Sequence, residues 1–280
     1  MPISPSGQGF SKNTSAKQEQ FRYFIDIHLG ICKGIFKGNQ NKAWLSHIYH
    51  YIDLNAGTGI SETYGEGSPI IFLQKAESRK IDSSCYFVDI KDSVLEELKK
   101  NVANFSCQAN YFPCDNKLAL ENISESLYSH SQNNKKALYG LLYSDENGTV
   151  PPFDQLSKIF KDRKYLETID ILIYFSATNV KRCLKSDTSD VYKRLTDYIR
   201  NVPKKHWQIR ESEDKHQWSF LFGTNWDING QMGYPRITKY SFHDISSSRG
   251  REILEHLAYT NYEIQDMIQP KIPGLFDSME

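Results

Sequence analysis

From residue 17 onward, short apolar runs alternate with stretches whose apolar residues recur every three or four positions. The runs at 47–56 (HIYHYIDLNA), 84–90 (SCYFVDI), 109–115 (ANYFPCD), 137–145 (ALYGLLYSD) and 169–177 (IDILIYFSA) read as strands. Helical patterns at 68–77, 93–105, 117–129, 153–167 and 191–202 fill the gaps between or after them. Such alternation predicts parallel βαβ units and a sheet covered on both faces. Ahead of the first strand, Phe21, Phe24, Ile25, His28, Leu29 and Cys32 share one face of a helix that begins at Lys17 and ends near 34–38. Residues 206–226, two strand-like runs joined by the charged turn ESEDK, predict an antiparallel hairpin, and 251–268 a closing helix. Residues 1–16 are rich in Ser, Gly and Pro and are expected to be flexible. Without an internal repeat or a Pro/Gly-rich linker, residues 17–280 are expected to form a single domain.

Charge changes the picture only locally. The 34 Lys+Arg balance the 34 Asp+Glu, so bulk positive charge is excluded as a means of holding nucleic acid. Basic residues nevertheless cluster. The first 50 residues hold Lys12, Lys17, Arg22, Lys33, Lys37 and Lys42 against Glu19 and Asp26. Lys181, Arg182 and Lys185 form a second group, and Lys204, Lys205, His206 and Arg210 lie beside Trp207 and Trp218. Lysines interleaved with aromatics suit phosphate contact and base stacking, so nucleic acid is the expected partner. The competing reading has the tryptophans in the hairpin core and the lysines solvated. The five cysteines show no C-x-x-C pair, which suits reduced thiols and a cytoplasmic location. No segment reaches the roughly 18 apolar residues of a membrane helix. Neither a metal-ligand spacing of His and Cys nor a G-x-S-x-G elbow occurs, so no metal and no serine triad are expected.

The candidate chemistry lies where the apolar runs end. Asp53-Leu54-Asn55-Ala56-Gly57-Thr58-Gly59 follows the first strand, and its glycines allow close approach of backbone to a ligand. The loop lacks the third glycine of a dinucleotide fingerprint, and the next helix follows only after ISETYGEGSP. Asp89, Asp115 and Asp145 close the next three strands, so four strands in a row finish in an aspartate. In an open α/β sheet all four would surround one crevice. Each could instead cap a helix, Asp115 in particular, and the glycine loop could be a plain tight turn.

The series YIDLNAGTG, FVDI, CDN and YSDENG resembles the motifs of class I S-adenosylmethionine-dependent methyltransferases over roughly residues 45–226. That resemblance implies a Rossmann-like α/β fold: a mostly parallel seven-stranded sheet with a C-terminal antiparallel hairpin and helices on both faces. It also implies S-adenosylmethionine as cofactor, with Asp53, Asn55, Ala56, Gly57, Gly59 and Ser68 at its amino-acid end, Asp89 and Ile90 at the ribose, and Asp115 and Asn116 beside the adenine. A narrower resemblance joins DLNAGTG, Gly67-Ser68-Pro69, a helix carrying Lys17 and Gly223-Thr224-Asn225-Trp226 to the three-Cys-motif partner family. Asp145-Glu146-Asn147-Gly148 stands where that family carries Asp-Pro and a glycine, so the proline is missing.

Asp145 and Asn147 are the candidate catalytic residues, as acceptors for the hydrogens of a base amine. Lys17, Lys181, Arg210, Asn225 and Trp226 are the candidate substrate contacts, with 225–230 expected to overhang the crevice. A lysine with depressed pKa, Lys181 or Lys185, would instead serve a hydroxyl acceptor. The leading expectation is methylation of a nucleic-acid base amine, in DNA before RNA, through an extruded or single-stranded base. The alternatives are a non-catalytic methyltransferase-like protein acting through a protein partner, a methyltransferase with another acceptor, and a nucleotide-sugar or NAD-dependent enzyme.

Overall fold

A computed structural model describes residues 14–63, 65–132, 135–146, 149–184, 190–211, 218–226, 241–259 and 263–264. The chain runs α1 (Thr14–Gly38), β1 (Leu45–Asp53), β2 (Ile60–Ser61), β3 (Gly65–Glu66), α2 (Ser68–Ser78), β4 (Ser83–Val88), α3 (Asp92–Val102), β5 (Gln108–Phe112) and α4 (Asn116–His130). Then follow β6 (Ala137–Ser144), α5 (Phe153–Asp162), a 3-10 turn (Lys164–Leu166), β7 (Ile169–Ser176), α6 (Ala177–Leu184), α7 (Val191–Asn201), β8 (His206–Arg210), β9 (Trp218–Thr224), β10 (Phe242–Asp244) and α8 (Ser248–Ala258).

Eight strands form one sheet in the order β10-β8-β9-β7-β6-β1-β4-β5. β5, β4, β1, β6 and β7 are parallel. β9 lies antiparallel between β7 and β8, and β10 adds antiparallel to β8. The Rossmann-like α/β architecture expected from the alternation is therefore present, with eight strands rather than seven. The extra strand, β10, has three residues, too few to show a period. The helix expected from Lys17 starts at Thr14, and the expected flexible segment otherwise lies outside the described residues.

The parallel strands are buried on both sides, which is why they read as near-continuous apolar runs. Tyr49, Tyr51, Phe87, Leu141 and Phe220 face one core with α1, α2 and α3. Ile52, Tyr86, Val88, Leu142 and Ile171 face a second with α4, α5, α6, α7 and α8. Asp26 of α1 anchors the first helix to the end of α2, accepting from Arg79 Nε at 2.9 Å and Nη2 at 2.7 Å. From β1 the chain builds outward through β4 to β5, then crosses back to β6 and β7. The order reverses between β1 and β6, and at such a switch point the carboxyl ends of the strands open a crevice.

Candidate active site

Asp53 closes β1 with its side chain wholly buried. Tyr51 Oη donates to Oδ2 at 2.8 Å, the Asn55 amide donates to Oδ1 at 3.1 Å, and the Ser68 side chain bonds it from the start of α2. Burial nevertheless pushes the Asp53 carboxyl up to about 6, with the nearby Asp145 charge acting in the same direction. Over this carboxyl the chain turns through Gly57 at φ +59° and Gly59 at φ +76°, in the left-handed region that favours glycine. The two glycines differ. A Cβ on Gly57 would meet nothing within 4 Å, whereas one on Gly59 would stand 2.7 Å from Leu98 Cδ1. The Ala56 amide bonds Val88 O at 2.9 Å, drawing the loop toward the end of β4. The β2–β3 ribbon returns the chain to α2 and is held to α1 by Arg22 Nη2 on Glu66 Oε2 at 2.7 Å.

Beyond the loop opens a cavity of about 330 Å³. Asn55 through Ser61 form one wall, and the first turns of α1 another, through Thr14, Lys17, Gln18 and Phe21. Those four recur at helical spacing, so one stripe of α1 faces the cleft. The ends of β6 and β7 supply Tyr143, Asp145, Tyr174 and Ser176, and the first turn of α6 supplies Thr178 and Asn179.

Asp145 is held from two sides. Its amide donates to Asn55 Oδ1 at 3.0 Å, and its Oδ2 accepts from Lys17 Nζ at 2.5 Å. Lys17 also lies 4.7 Å from the centre of the Tyr174 ring. The remaining oxygen, Oδ1, is buried and makes no hydrogen bond of good geometry, the Tyr143 side chain being close to the same carboxylate, and a ligand donor would satisfy it. Next to it, burial pushes the Glu146 carboxyl up, against hydrogen bonds from Thr149, Asn116 and Asn55. Asn179 Nδ2 donates to Glu146 O at 2.9 Å, which ties α6 to the rim.

Of the residues picked out in the sequence, the structure brings Asn55, Ala56, Gly57, Gly59, Ser68, Lys17 and Asp145 around one cleft, with Asp53 beneath its floor. Asp89 and Asp115 stand at the neighbouring strand ends but do not line the cavity. Asp89 Oδ1 accepts from the Lys91 amide at 3.0 Å, and Ile90 is 72% exposed. Asp115 caps α4, its Oδ1 taking the amides of Lys117 at 2.9 Å and Leu118 at 3.1 Å. Asn116 turns its amide to Glu146. Asn147 lies outside the described residues.

Four substrate candidates lie elsewhere. Lys181 is on α6, where burial pulls its ammonium pKa down, but it does not line the cavity. Arg210 is buried at the end of β8, its Nη1 on Glu211 O at 3.1 Å. Asn225 and Trp226 are at the opposite edge of the sheet, so the overhang expected of them is corrected. β9 runs antiparallel, and the residues after it therefore emerge beside the amino ends of the parallel strands. Asn225 there accepts from the Lys205 amide at 2.8 Å and donates to Glu167 O at 3.1 Å. Tyr143, Tyr174, Thr178 and Asn179 were not singled out from sequence, and Phe21 and Glu146 were named only as a helix-face residue and as part of the run after Asp145. They come from three segments far apart in the chain, and no local spacing joins them.

No family model matches the chain, and no curated protein matches it. Solved structures do. A protein of Legionella pneumophila is 11% identical, with TM-score 0.48 over 80% of this chain and 96% of that one. A Leishmania major S-adenosylmethionine-dependent methyltransferase is 12% identical, with TM-score 0.34 over 79% and 85%. A Podospora anserina methyltransferase, bound to the demethylated cofactor, is 10% identical, with TM-score 0.38 over 81% and 98%.

Proposed function

We propose that the chain is an S-adenosylmethionine-dependent methyltransferase acting on a base amine of nucleic acid, in DNA before RNA. The observation that carries this reading is Asp145 Oδ1, a buried carboxylate oxygen that makes no hydrogen bond of good geometry, on the cleft wall next to the glycine loop. Two features support it. Gly57 keeps the loop's open face clear of side chain, and the antiparallel β9 between β7 and β8 meets the expectation from the motif series.

Asn55, Ala56, Gly57, Gly59 and Ser68 would hold the amino-acid end of the cofactor, with the buried Asp53 fixing their loop from beneath, Asp89 and Ile90 toward the ribose and Asp115 and Asn116 toward the adenine. S-adenosylmethionine supplies an electrophilic methyl group carried on a positively charged sulfur. Lys17 fixes one oxygen of Asp145 and leaves the other to accept an N–H of the incoming amine, which orients the nitrogen lone pair. Asn147 follows two residues later and serves as a second acceptor. Phe21, Tyr143 and Tyr174 keep water from the reacting nitrogen.

Calorimetric titration with S-adenosylmethionine, run beside radiolabelled methyl transfer to unmodified DNA and RNA, tests the reading. Asp145→Ala is expected to cut transfer by about a hundredfold or more and to leave cofactor affinity in place. Equal loss of both would remove Asp145 from the acceptor role. Cofactor binding without transfer would favour the non-catalytic partner role, to which the missing proline after Asp145 also points.

A further inference from the structure

The edge of the sheet opposite the cleft carries a second cavity, of about 780 Å³, lined by Tyr139, Phe160, Lys161, Glu167, Lys205 and Trp226 among others. Its floor is rigid. Lys204 is buried beneath it, with Nζ donating to Glu167 O at 3.1 Å and Ile169 O at 2.6 Å and lying 4.5 Å from the centre of the Phe160 ring. Trp226 packs on Tyr139 with ring centres 5.4 Å apart and remains half-buried. Trp44, 46% exposed, stands on the same edge just before β1, its carbonyl taking the Ala137 amide at 2.7 Å.

This edge is also basic. Lys42, Lys135, Lys161, Lys164 and Lys205 are exposed on the turns that enter the strands or end α5, and Lys136 is half-buried. None of the six has a carboxylate partner among the described residues. Glu167 is the acidic residue in the cavity wall. The chain as a whole is neutral, so this concentration of lysines is local. A polyanion therefore meets attraction here.

We infer that this amino-edge groove binds single-stranded nucleic acid, the lysines taking phosphates and Trp226 and Trp44 offering faces for bases. Trp207 and Trp218, the aromatics singled out beside the basic cluster, are buried and take no part. A strand of eight residues separates the two edges by about 25 Å, so the groove holds nucleotides distant from any reacting base. The groove rests on its own residues, and only its service to methyl transfer rests on the reading of the cleft.

The test is fluorescence anisotropy with labelled oligo(dT) and oligo(U) of about 12 nucleotides, with unlabelled heparin as a polyanion without bases. The wild-type chain is expected to bind one or both strands, with a slope of log K against log salt of about −2 to −3. The double variant Lys161→Glu/Lys205→Glu, altered at exposed positions, is expected to weaken binding about tenfold or more. Trp226→Leu is expected to weaken oligonucleotide binding about fivefold or more and to leave heparin binding unchanged. Asp145→Ala is expected to bind both strands like wild type, which separates this site from the cleft. No binding by the wild-type chain, unchanged affinity in the double variant, or equal loss of heparin and oligonucleotide on Trp226→Leu would overturn the inference.

Discussion

At the scale of single residues, two carboxylates carry opposite tasks because their surroundings differ. Asp53 is wholly buried and hydrogen-bonded from three sides, while Asp145 keeps one oxygen for a ligand. The Asp53 carboxyl titrates near 6 in the folded chain and near 3.9 when unfolded. Its contribution to stability is therefore fully present below about pH 4 and is lost as pH rises through 6. Relative to Asp53→Asn, the wild-type chain is expected to lose about 2 kcal/mol between pH 4 and pH 7. Urea unfolding at the two pH values measures it, and parallel pH profiles for the two proteins would contradict it. The strand-ending aspartates were legible because each follows an apolar run directly. Lys17 was legible as a candidate substrate contact on the first helix; that it meets Asp145 depends on how α1 lies across the sheet. For Asn225 and Trp226 the direction of β9 decides the matter, and an antiparallel hairpin exchanges the two edges of the sheet.

At the scale of elements, the glycine loop separates a steric requirement from an open one. Gly59→Ala adds left-handed strain to a contact with Leu98 and is expected to cost about 3 kcal/mol of stability. Gly57→Ala carries the strain without the contact and is expected to cost about 1–2 kcal/mol. If the loop is the cofactor bed, Gly57→Ala should also lose cofactor affinity beyond what its stability explains. Thermal unfolding and calorimetric titration of the two variants would show this, and identical profiles would argue against it. The helix α6 escaped the pattern reading. Its eight residues, ATNVKRCL, follow β7 without a turn, and only Ala177, Val180 and Leu184 are buried. That short helix nevertheless brings Thr178 and Asn179 to the cleft.

At the scale of the whole molecule, the alternation of strands and helices made the layered architecture legible. The order of strands was not carried by any local pattern, since the crossing from β5 back to β6 is set by which faces the helices cover. The same architecture gathers six lysines at the amino ends of the strands, in a chain whose 34 basic and 34 acidic side chains cancel. Cancellation of the total does not erase a local patch. The molecule should turn its amino edge to an anionic surface. At low salt and neutral pH it is expected to be retained by both a sulfonate and a quaternary-ammonium resin, and Lys161→Glu/Lys205→Glu should loosen only the first. Equal loosening on both resins would mean that the two edges do not act separately.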